Sequence, residues 1–451
     1  MTFKGVVTVK KLLLTTTAIV AFATSAFAGG SSTTLTQIGA GHRADIDQSG
    51  GTTGSVVFQQ DNGGSSSGAN VLTITQGGSA NKVYGLNINY DPRGGQSGTA
   101  NSTTVNQSGN ANLVGVRQAG ANQSIAVTQS GNNNDAAYLL QTTAPANPST
   151  TPNTLSLSQF GSSLARSFQT GSSLSAAIQQ GSASASGSLL EIYNEQQGSN
   201  NSFTAMQAGT GGYIQNQQAG TNHTVAVTQN SSGSDVVRNF QSGDKNDLLV
   251  INQGGNGNTI GNVQPGTFNR LTVDLQNGSG NTIASVQSGT SNTARVAMQS
   301  GSGNFISNTQ SGSNGNAEYS QTGSVNRAIL QNQVGAYGQL TVTQDATSLN
   351  SVVVAYQNSA ATASVPNKIK VTQSGGSDNN AYVLQGAAFG STLPVAGDAS
   401  IGLTSGVAGS GNTITVSQTG GANYAAVSQV GSNNTATTVQ NGTSNSAVVR
   451  Q

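Results

Sequence analysis

Apolar and polar residues alternate in short runs along most of this chain. Asn258, Ile260 and Gln264, for example, lie at even offsets from one another, and similar runs recur many times. Alternate residues of a β-strand share one face, whereas a helix would distribute such positions around its circumference. The pattern therefore predicts short β-strands rather than helices.

Each run belongs to a repeat with the pattern Gln-x-Gly-x-x-Asn, followed by a strand-like stretch that ends in the next Gln. Successive Gln residues are 11 or 12 positions apart. Self-similarity at a short period is typical of repeat architectures. The repeat positions that we expect to be structural are Gln107, Asn112, Gln118, Gln129, Gln253, Asn258, Gln264, Gln276, Asn281, Gln287, Asn292, Gln299, Asn304, Gln310, Gln418, Asn423, Gln429, Asn434, Gln440, Asn445 and Gln451.

The repeated amides predict hydrogen-bonded ladders. A buried Gln amide has two donor hydrogens and an acceptor oxygen, and all of them need partners. When the same residue recurs in every layer, each amide can donate to the next one. Loss of one member would leave its neighbours unpaired, at about 1–3 kcal/mol per buried group. The alternative is a solvated flexible tail, but such tails do not keep register over hundreds of residues.

Gly and Asn between the runs predict tight turns, because both residues tolerate positive φ. Two strands and two turns make one rung of 22 or 23 residues. One rung cannot bury its own face, so rungs must stack. The sequence therefore predicts an all-β fold, a cross-β, amyloid-like β-solenoid of strand–turn–strand rungs with inserted loops. The predicted turn glycines are Gly109, Gly120, Gly255, Gly266, Gly278, Gly289, Gly301, Gly420, Gly431 and Gly442.

The 12-residue steps do not fit one inward face. Leu271 and Val273 have the opposite parity to Gln276, whereas Leu249 and Ile251 share the parity of the Gln that follows them. Packing on both faces of these strands is one interpretation.

Composition excludes an ordinary layered domain. Hydrophobic residues are 34% and charged residues 7%, against about 45–50% and about 25% in typical globular chains. The formal charge of only +1 argues against disorder by charge repulsion and against a nucleic-acid partner. The chain has no Cys, so disulfides and thiolate sites are excluded. Its stability must therefore come from backbone pairing and packing.

The N-terminus predicts a secretory signal at residues 1–28. Three Lys residues precede an apolar stretch at residues 12–22, and residues 26–28 form a small-x-small cleavage site. The apolar stretch is too short to predict a membrane span, and we expect no transmembrane segment in the mature chain. We expect residues 29–451 to form the repeat solenoid.

Four Pro-containing stretches interrupt the repeat, and Pro cannot donate a hydrogen bond to a strand ladder. We expect them to be loops projecting from the solenoid, or breaks between stacks. Tolerated insertions are favoured over binding loops. The four stretches lie near residues 84–95, 142–154, 358–367 and 386–411.

No catalytic, metal or cofactor constellation is evident, so we expect a non-enzymatic protein. His42 and His223 are far apart in sequence, and each lies within the repeat. We expect both to be polar side chains on a rung. Two carboxylate pairs, Asp45 with Asp47 and Glu191 with Glu195, lack a partner set for acid–base chemistry.

The repeat resembles that of the curlin family, whose pattern is Ser-x5-Gln-x-Gly-x-x-Asn-x-Ala-x3-Gln. Residues 418–429, 429–440 and 445–451 match its second half. The resemblance implies an unusually long member of a family of functional amyloids, secreted by Gram-negative bacteria through a dedicated outer-membrane pore. It also implies extracellular fibres for adhesion and biofilm matrix, possible partnership with a nucleator subunit, and self-association into a homopolymer. Major subunit, nucleator and distinct adhesin remain alternatives.

Two other functions remain open. A monomeric β-solenoid could bind polysaccharide or ice, because paired Thr residues recur on some strands, as at Thr73 and Thr75. A polysaccharide-active β-helix enzyme would need carboxylates clustered on one face. For the fibre, residues 418–451 are a candidate docking edge, since repeats continue there without a polar cap.

Overall fold

The computed structural model contains β-strands and turns, and none of the residues that it describes is helical. The predicted signal at residues 1–28 lies outside the described residues. The prediction of an all-β fold is confirmed. The described residues are 30–62, 68–86, 94–143, 152–181, 187–389, 396, 403–404 and 408–451.

The chain divides into two units, Met1–Asn222 and His223–Gln451. Within each unit the strands form two parallel sheets, here named sheet A and sheet B. Along the chain, strands alternate between the two sheets for most of each unit. Each strand therefore pairs with the strand one rung away, which is the arrangement of a β-solenoid.

The N-terminal unit contains fifteen strands among its described residues. Sheet A is formed by β1, β3, β5, β6, β8, β10, part of β11, β13 and β15, and sheet B by β2, β4, β7, β9, part of β11, β12 and β14. The strands are β1 (Ser32–Ile38), β2 (Arg43–Thr52), β3 (Ser55–Asp61), β4 (Val71–Ser79), β5 (Lys82–Gly85), β6 (Gly95–Thr99), β7 (Ser102–Gln107), β8 (Leu113–Ala121), β9 (Ser124–Ser130), β10 (Asp135–Thr142), β11 (Thr154–Ser172), β12 (Ser175–Gln180), β13 (Gly187–Ser199), β14 (Ser202–Gly209) and β15 (Tyr213–Thr221).

The C-terminal unit has the same plan in its described residues. Sheet A is formed by β17, β19, β21, β23, β25, β28, β31, β35 and β37, and sheet B by β16, β18, β20, β22, β24, β26, β29, β34 and β36, with short strands at the turns. The strands are β16 (Thr224–Ser231), β17 (Val236–Asp244), β18 (Asp247–Gly255), β19 (Thr259–Gln264), β20 (Arg270–Val273), β21 (Thr282–Gln287), β22 (Thr293–Ser302), β23 (Phe305–Gln310), β24 (Asn316–Ser324), β25 (Arg327–Ala336), β26 (Gly338–Gln344), β27 (Ser348–Leu349), β28 (Val352–Ala360), β29 (Asn367–Ser374), β30 (Gly376–Ser377), β31 (Asn380–Gln385), β32 (Ala388–Phe389), β33 (Leu403–Thr404), β34 (Thr413–Thr419), β35 (Tyr424–Gln429), β36 (Thr435–Asn441) and β37 (Ser446–Arg450).

The core of each unit consists of rows of small apolar side chains between the two sheets. In the N-terminal unit one row contains Ile74, Val105 and Val127, which pair in register and are buried. In the C-terminal unit, Val250 and Val273 belong to a similar row. Burying each such side chain stabilises the fold by about 1.5–3 kcal/mol. Identical spacing in successive rungs makes these rows continuous.

A bulge explains the 12-residue steps of sheet B. Val227 and Gln229 pair with Val250 and Gln253, so β18 has one more residue than β16 between these positions. The extra residue restores the inward orientation of the Gln. Ile251 is 49% exposed, so the interpretation that both faces are packed is wrong for this part of sheet B.

The outer face of sheet A is buried in one part of the C-terminal unit. Val354, Tyr382 and Leu384 form an apolar cluster there, together with Ala426. The predicted insertion at residues 386–411 begins beside this cluster, and its strands β32 and β33 pair antiparallel. Ala387 belongs to the cluster, so the described start of this insertion packs on the sheet.

The other predicted insertions fall between paired strands. Residues 87–93 and 144–151, within two of them, lie outside the described residues. In the third, near 358–367, β28 ends at Ala360, and Thr362 forms an antiparallel bridge with Val365 before β29 begins. Across the described part of the chain, no helix is available to cross a membrane.

Amide ladders, a candidate assembly site

Gln side chains form continuous hydrogen-bonded ladders inside each unit. The Nε2 group of Gln253 donates to Oε1 of Gln276 over 2.8 Å, and Gln276 donates to Gln299 over the same distance. All three side chains are fully buried. Each Gln inside the ladder therefore accepts one hydrogen bond from the preceding rung and donates one to the following rung.

Among the described residues four such ladders occur, one in each sheet of each unit. In every one, the amide of the earlier residue donates to the carbonyl of the later residue. The N-terminal unit contains Gln37-Gln60-Gln96-Gln118-Gln141-Gln169-Gln196-Gln218 in sheet A and Gln48-Gln76-Gln107-Gln129-Gln159-Gln180-Gln207 in sheet B. The C-terminal unit contains Gln241-Gln264-Gln287-Gln310-Gln333-Gln357-Gln385-Gln429-Gln451 in sheet A and Gln229-Gln253-Gln276-Gln299-Gln321-Gln344-Gln373-Gln418-Gln440 in sheet B.

The amide nitrogen of many ladder Gln residues also links the two sheets. Nε2 of Gln276 lies 3.3 Å from the carbonyl oxygen of Thr259, which is in sheet A, and 3.2 Å from that of Asn281. The donors of the buried amide are thus satisfied, which removes the penalty for burying it. A ladder Gln therefore joins successive rungs and holds the sheets together.

Asn residues form a second set of rows at the turns. Oδ1 of Asn258 accepts the backbone N–H of Asn281 over 3.0 Å. Nδ2 of Asn281 donates to the carbonyl of Asn277 in its own turn, and to the carbonyl of Gly301 in the next rung. Each Asn therefore closes its own turn and fixes the turn above it.

All of the ladder positions predicted from the sequence lie in these Gln and Asn rows. The predicted positions from Gln107 to Gln429 are buried, and Gln440 is buried as well. Asn434 and Asn445 are half-buried, and Gln451 is exposed. Residues that occupy the same position of the repeat are therefore neighbours in space within each unit.

The turn glycines are required by close stacking of the rungs. Gly278 has φ +100°, and a Cβ there would overlap the carbonyl oxygen of Gly301. Gly266 and Gly289 do not have positive φ, so the reason predicted from the sequence is wrong for them. A Cβ on either would nevertheless overlap a glycine carbonyl in the next rung. The predicted glycines with positive φ are Gly109, Gly120, Gly255, Gly278, Gly301, Gly420, Gly431 and Gly442.

Two ionisable residues occupy Asn-row positions that the motif did not identify. Nδ1 of the buried His223 accepts the backbone N–H of Asn246 over 3.2 Å. Oδ1 of the buried Asp235 accepts that of Asn258 over 2.8 Å. The repeat spacing could have identified the Asn-row position of His223, because His223 lies five residues after Gln218, as Asn does in the repeat.

A further polar row lies inside the C-terminal unit. Nδ2 of Asn262 donates to Oδ1 of Asn239 over 2.7 Å, and Nδ2 of Asn308 lies 3.2 Å from Oγ of Ser285. The hydroxyl of Tyr319 donates to Oδ1 of Asn308 over 3.0 Å. Tyr319 is fully buried, which raises the pKa of its hydroxyl far above the ordinary value. This row adds polar partners within the core.

The charged surface residues that the structure describes form small, separate contacts. Arg295 contacts Asp274 and Glu318 on the surface, and the hydrogen bond with Asp274 is the main cause of its raised pKa. Nε2 of His42 lies 2.8 Å from the carbonyl oxygen of Ile38. Across the described residues, no group of three or more His, Asp or Glu could hold a metal ion.

In-register parallel strands with buried amide rows define each unit as an amide-ladder β-solenoid. Residues 98–131 and residues 409–437 match the curlin associated repeat. The first stretch contains Gln107, Gln118 and Gln129, and the second contains Gln418 and Gln429. The chain therefore contains curlin-type repeats at these two places, which supports the resemblance seen in the sequence. No curated protein matches the chain.

Proposed function

We propose that this protein is a structural subunit of extracellular curli-like fibres that assemble by templated strand stacking. The observation that carries the proposal is the set of four Gln ladders. A ladder gains one more amide pair with every added rung, so the same contacts that stack rungs within a chain can stack chains.

The edges of the stack supply the template. Among the described residues, β36 pairs with β34, and β37 pairs with β35, and each has a neighbour on one side only. Such an edge presents backbone N–H and C=O groups to another strand. A second copy of the chain is the partner whose ladder spacing fits.

The arrangement of Thr residues favours a fibre over an ice binder. Thr341 and Thr415 lie in one outward row of sheet B, but Lys370 lies between them. Glu318 precedes Thr341 in the same row. A flat hydroxyl array is therefore interrupted by charges, whereas the interior amide rows continue through the same strands.

Replacing one ladder amide tests the proposal. Gln276→Ala removes a fully buried member, and Gln339→Ala removes an exposed Gln from a neighbouring region of the same sheet. We expect the first variant to slow thioflavin-T fibre growth strongly and the second to leave it unchanged. Wild-type fibres should show a meridional reflection at about 4.8 Å.

Two results would contradict the proposal. One is a wild-type protein that remains monomeric at high concentration with no fibres in electron micrographs. The other is equal growth by the Gln276→Ala variant and the wild type, since the ladder would then have no part in assembly.

The match to the curlin associated repeat supports the remaining elements of the proposal. They are secretion through a curli-type outer-membrane pore, nucleation by a second subunit, and a role in adhesion and biofilm matrix at the surface of a Gram-negative cell. We propose no catalytic activity. Expression in a curli-competent host with and without its outer-membrane pore tests the route, with surface fibres expected only when the pore is present.

A further inference from the structure

A row of tyrosines crosses the outer face of sheet A in the N-terminal unit. Tyr84 pairs with Gly115, a bulge places Tyr138 opposite the same glycine, and Tyr138 pairs with Arg166. Arg166 in turn pairs with Tyr193. A tyrosine therefore occupies every second strand of one row, at intervals of about 9.6 Å. All three tyrosines are partly exposed.

The residues beside the row make it a continuous aromatic strip. The ring of Tyr84 lies over Gly115, where a Cβ would come within 2.8 Å of it. The guanidinium of Arg166 lies 5.4 Å from the centroid of the Tyr138 ring. The ring of Phe168 lies 5.6 Å from that of Tyr193, in a tilted arrangement. We name Tyr84, Tyr138, Phe168 and Tyr193 the aromatic strip.

Polar groups line the same face. The hydroxyl of Tyr193 donates to Oε2 of Glu195 over 3.2 Å, and Nε2 of Gln217 donates to the same oxygen over 3.1 Å. These groups can exchange hydrogen bonds with hydroxyl groups of a ligand. The charges on this face nearly balance, with three bases and four acids among the described residues, so it does not favour a charged ligand. They are Lys82, Arg117, Arg166, Asp61, Asp135, Glu191 and Glu195.

We propose that the aromatic strip binds an uncharged, extended β-linked polysaccharide. The apolar C–H faces of sugar rings stack on aromatic rings, and their hydroxyls pair with neighbouring polar side chains. In an extended β-1,4-linked chain every second sugar presents the same face, at an interval close to that of the tyrosines. In the described part of the C-terminal unit, Gly261, Ala284 and Ser307 occupy the corresponding row. Tyr382 lies further along that row but is fully buried, so it offers no ring to a ligand.

Co-sedimentation with insoluble cellulose tests the proposal on the full protein. We expect Tyr138→Ala combined with Tyr193→Ala to weaken binding about tenfold or more. Tyr138→Phe keeps the ring and should retain most of the binding. Phe268→Ala is the matched control, because Phe268 is an aromatic residue of the C-terminal unit that is 50% exposed and lies at a turn, outside sheet A. It should bind like the wild type.

The outcomes separate this proposal from the proposed fibre function. Thioflavin-T growth and the strand reflection are measured on the same samples, and the tyrosine variants should retain both. Absence of cellulose binding by the wild type, equal binding by all variants, or preference for anionic alginate would overturn the aromatic-strip proposal. None of these results would affect the fibre proposal, which is tested by the ladder variants.

Discussion

At the scale of single residues, this protein stabilises itself with side chains that are usually costly to bury. Oδ1 of Asn258 and both donors of Asn281 have partners in adjacent turns. Their role was predictable, because identical amides recur at one offset from the Gly. The acceptor role of His223 in such a row is decided by its neighbour, Asn246. The repeat spacing indicated its place in the row, but not which of its atoms would accept a hydrogen bond.

The residue before most Asn-row positions adopts a left-handed backbone conformation. In two adjacent rungs that position is held by Gly303, with φ +66°, and by Val325, with φ +58°. The conformation suits glycine, whereas it costs a β-branched residue about 1–2 kcal/mol. Val325 is 51% exposed, so it gains little from packing. This position therefore contains local strain that can be removed.

We expect Val325→Gly to raise the free energy of unfolding by about 1 kcal/mol. Gly303→Val should lower it by about 1–2 kcal/mol, because only the Cγ2 of Val325 lies near the site of its Cβ, at 3.8 Å. Denaturant titration followed by circular dichroism measures both. Equal midpoints for the two variants would show that the backbone conformation is not the deciding factor.

Two carboxylates should affect stability in opposite directions with pH. Burial raises the pKa of Asp247, although hydrogen bonding to Thr224 and the charge of Arg270 oppose this. Its charged form is therefore disfavoured in the folded protein. We expect Asp247→Asn to be more stable than the wild type at pH 7, and the gain to shrink as acid protonates Asp247. Denaturation midpoints at several pH values measure it.

Asp47 is the control for this prediction. Hydrogen bonds from Ser49 lower the pKa of Asp47, so its charged form is favoured in the folded protein. Asp47→Asn should be slightly less stable than the wild type at neutral pH, and the difference should vanish as pH falls through the pKa of the native carboxyl. If both variants changed stability with pH in the same direction, burial of Asp247 and hydrogen bonding of Asp47 would not explain the shifts of their pKa values.

At the scale of elements, strand length and bulges determine which residues point inward. The 11-residue steps could be predicted from the sequence, because apolar residues and Gln share one parity. The 12-residue steps could not, because a bulge is defined by pairing with a neighbouring strand. In β22, for instance, Val296 and Gln299 pair with Tyr319 and Gln321, so one residue is extra.

A matched pair of deletions tests this account of the bulge. Deleting Ala297 gives β22 the same spacing as β24, and we expect it to cost less than about 2 kcal/mol. Deleting Ala284 from the unbulged β21 would shift Gln287 to the opposite face from Ile283. That variant should fold poorly. Circular dichroism and limited proteolysis distinguish the two, and equal damage would mean that the bulge is not a separable insertion.

At the scale of the whole molecule, the fold class and the ladder positions could be predicted from the periodicity of the sequence. The surface features could not be predicted in this way. The amides repeat at one offset in successive rungs, so a local pattern specified a long-range contact. By contrast, the cluster around Tyr382 depends on the strands on either side and on a neighbouring insertion. The aromatic strip likewise arises from tyrosines that are far apart in sequence, and only strand register aligns them.

The direction of the ladders predicts that fibres of this protein are polar. In each unit every ladder Nε2 donates toward the later Gln, as Gln287 does to Gln310. One edge of such a stack therefore presents amide donors, and the other presents carbonyl acceptors. Because the two edges also differ in their side chains, a new chain should add to them at different rates. Two-colour fluorescence microscopy of seeded fibres measures both rates, and symmetric growth would show that templating does not depend on the direction of the amide rows.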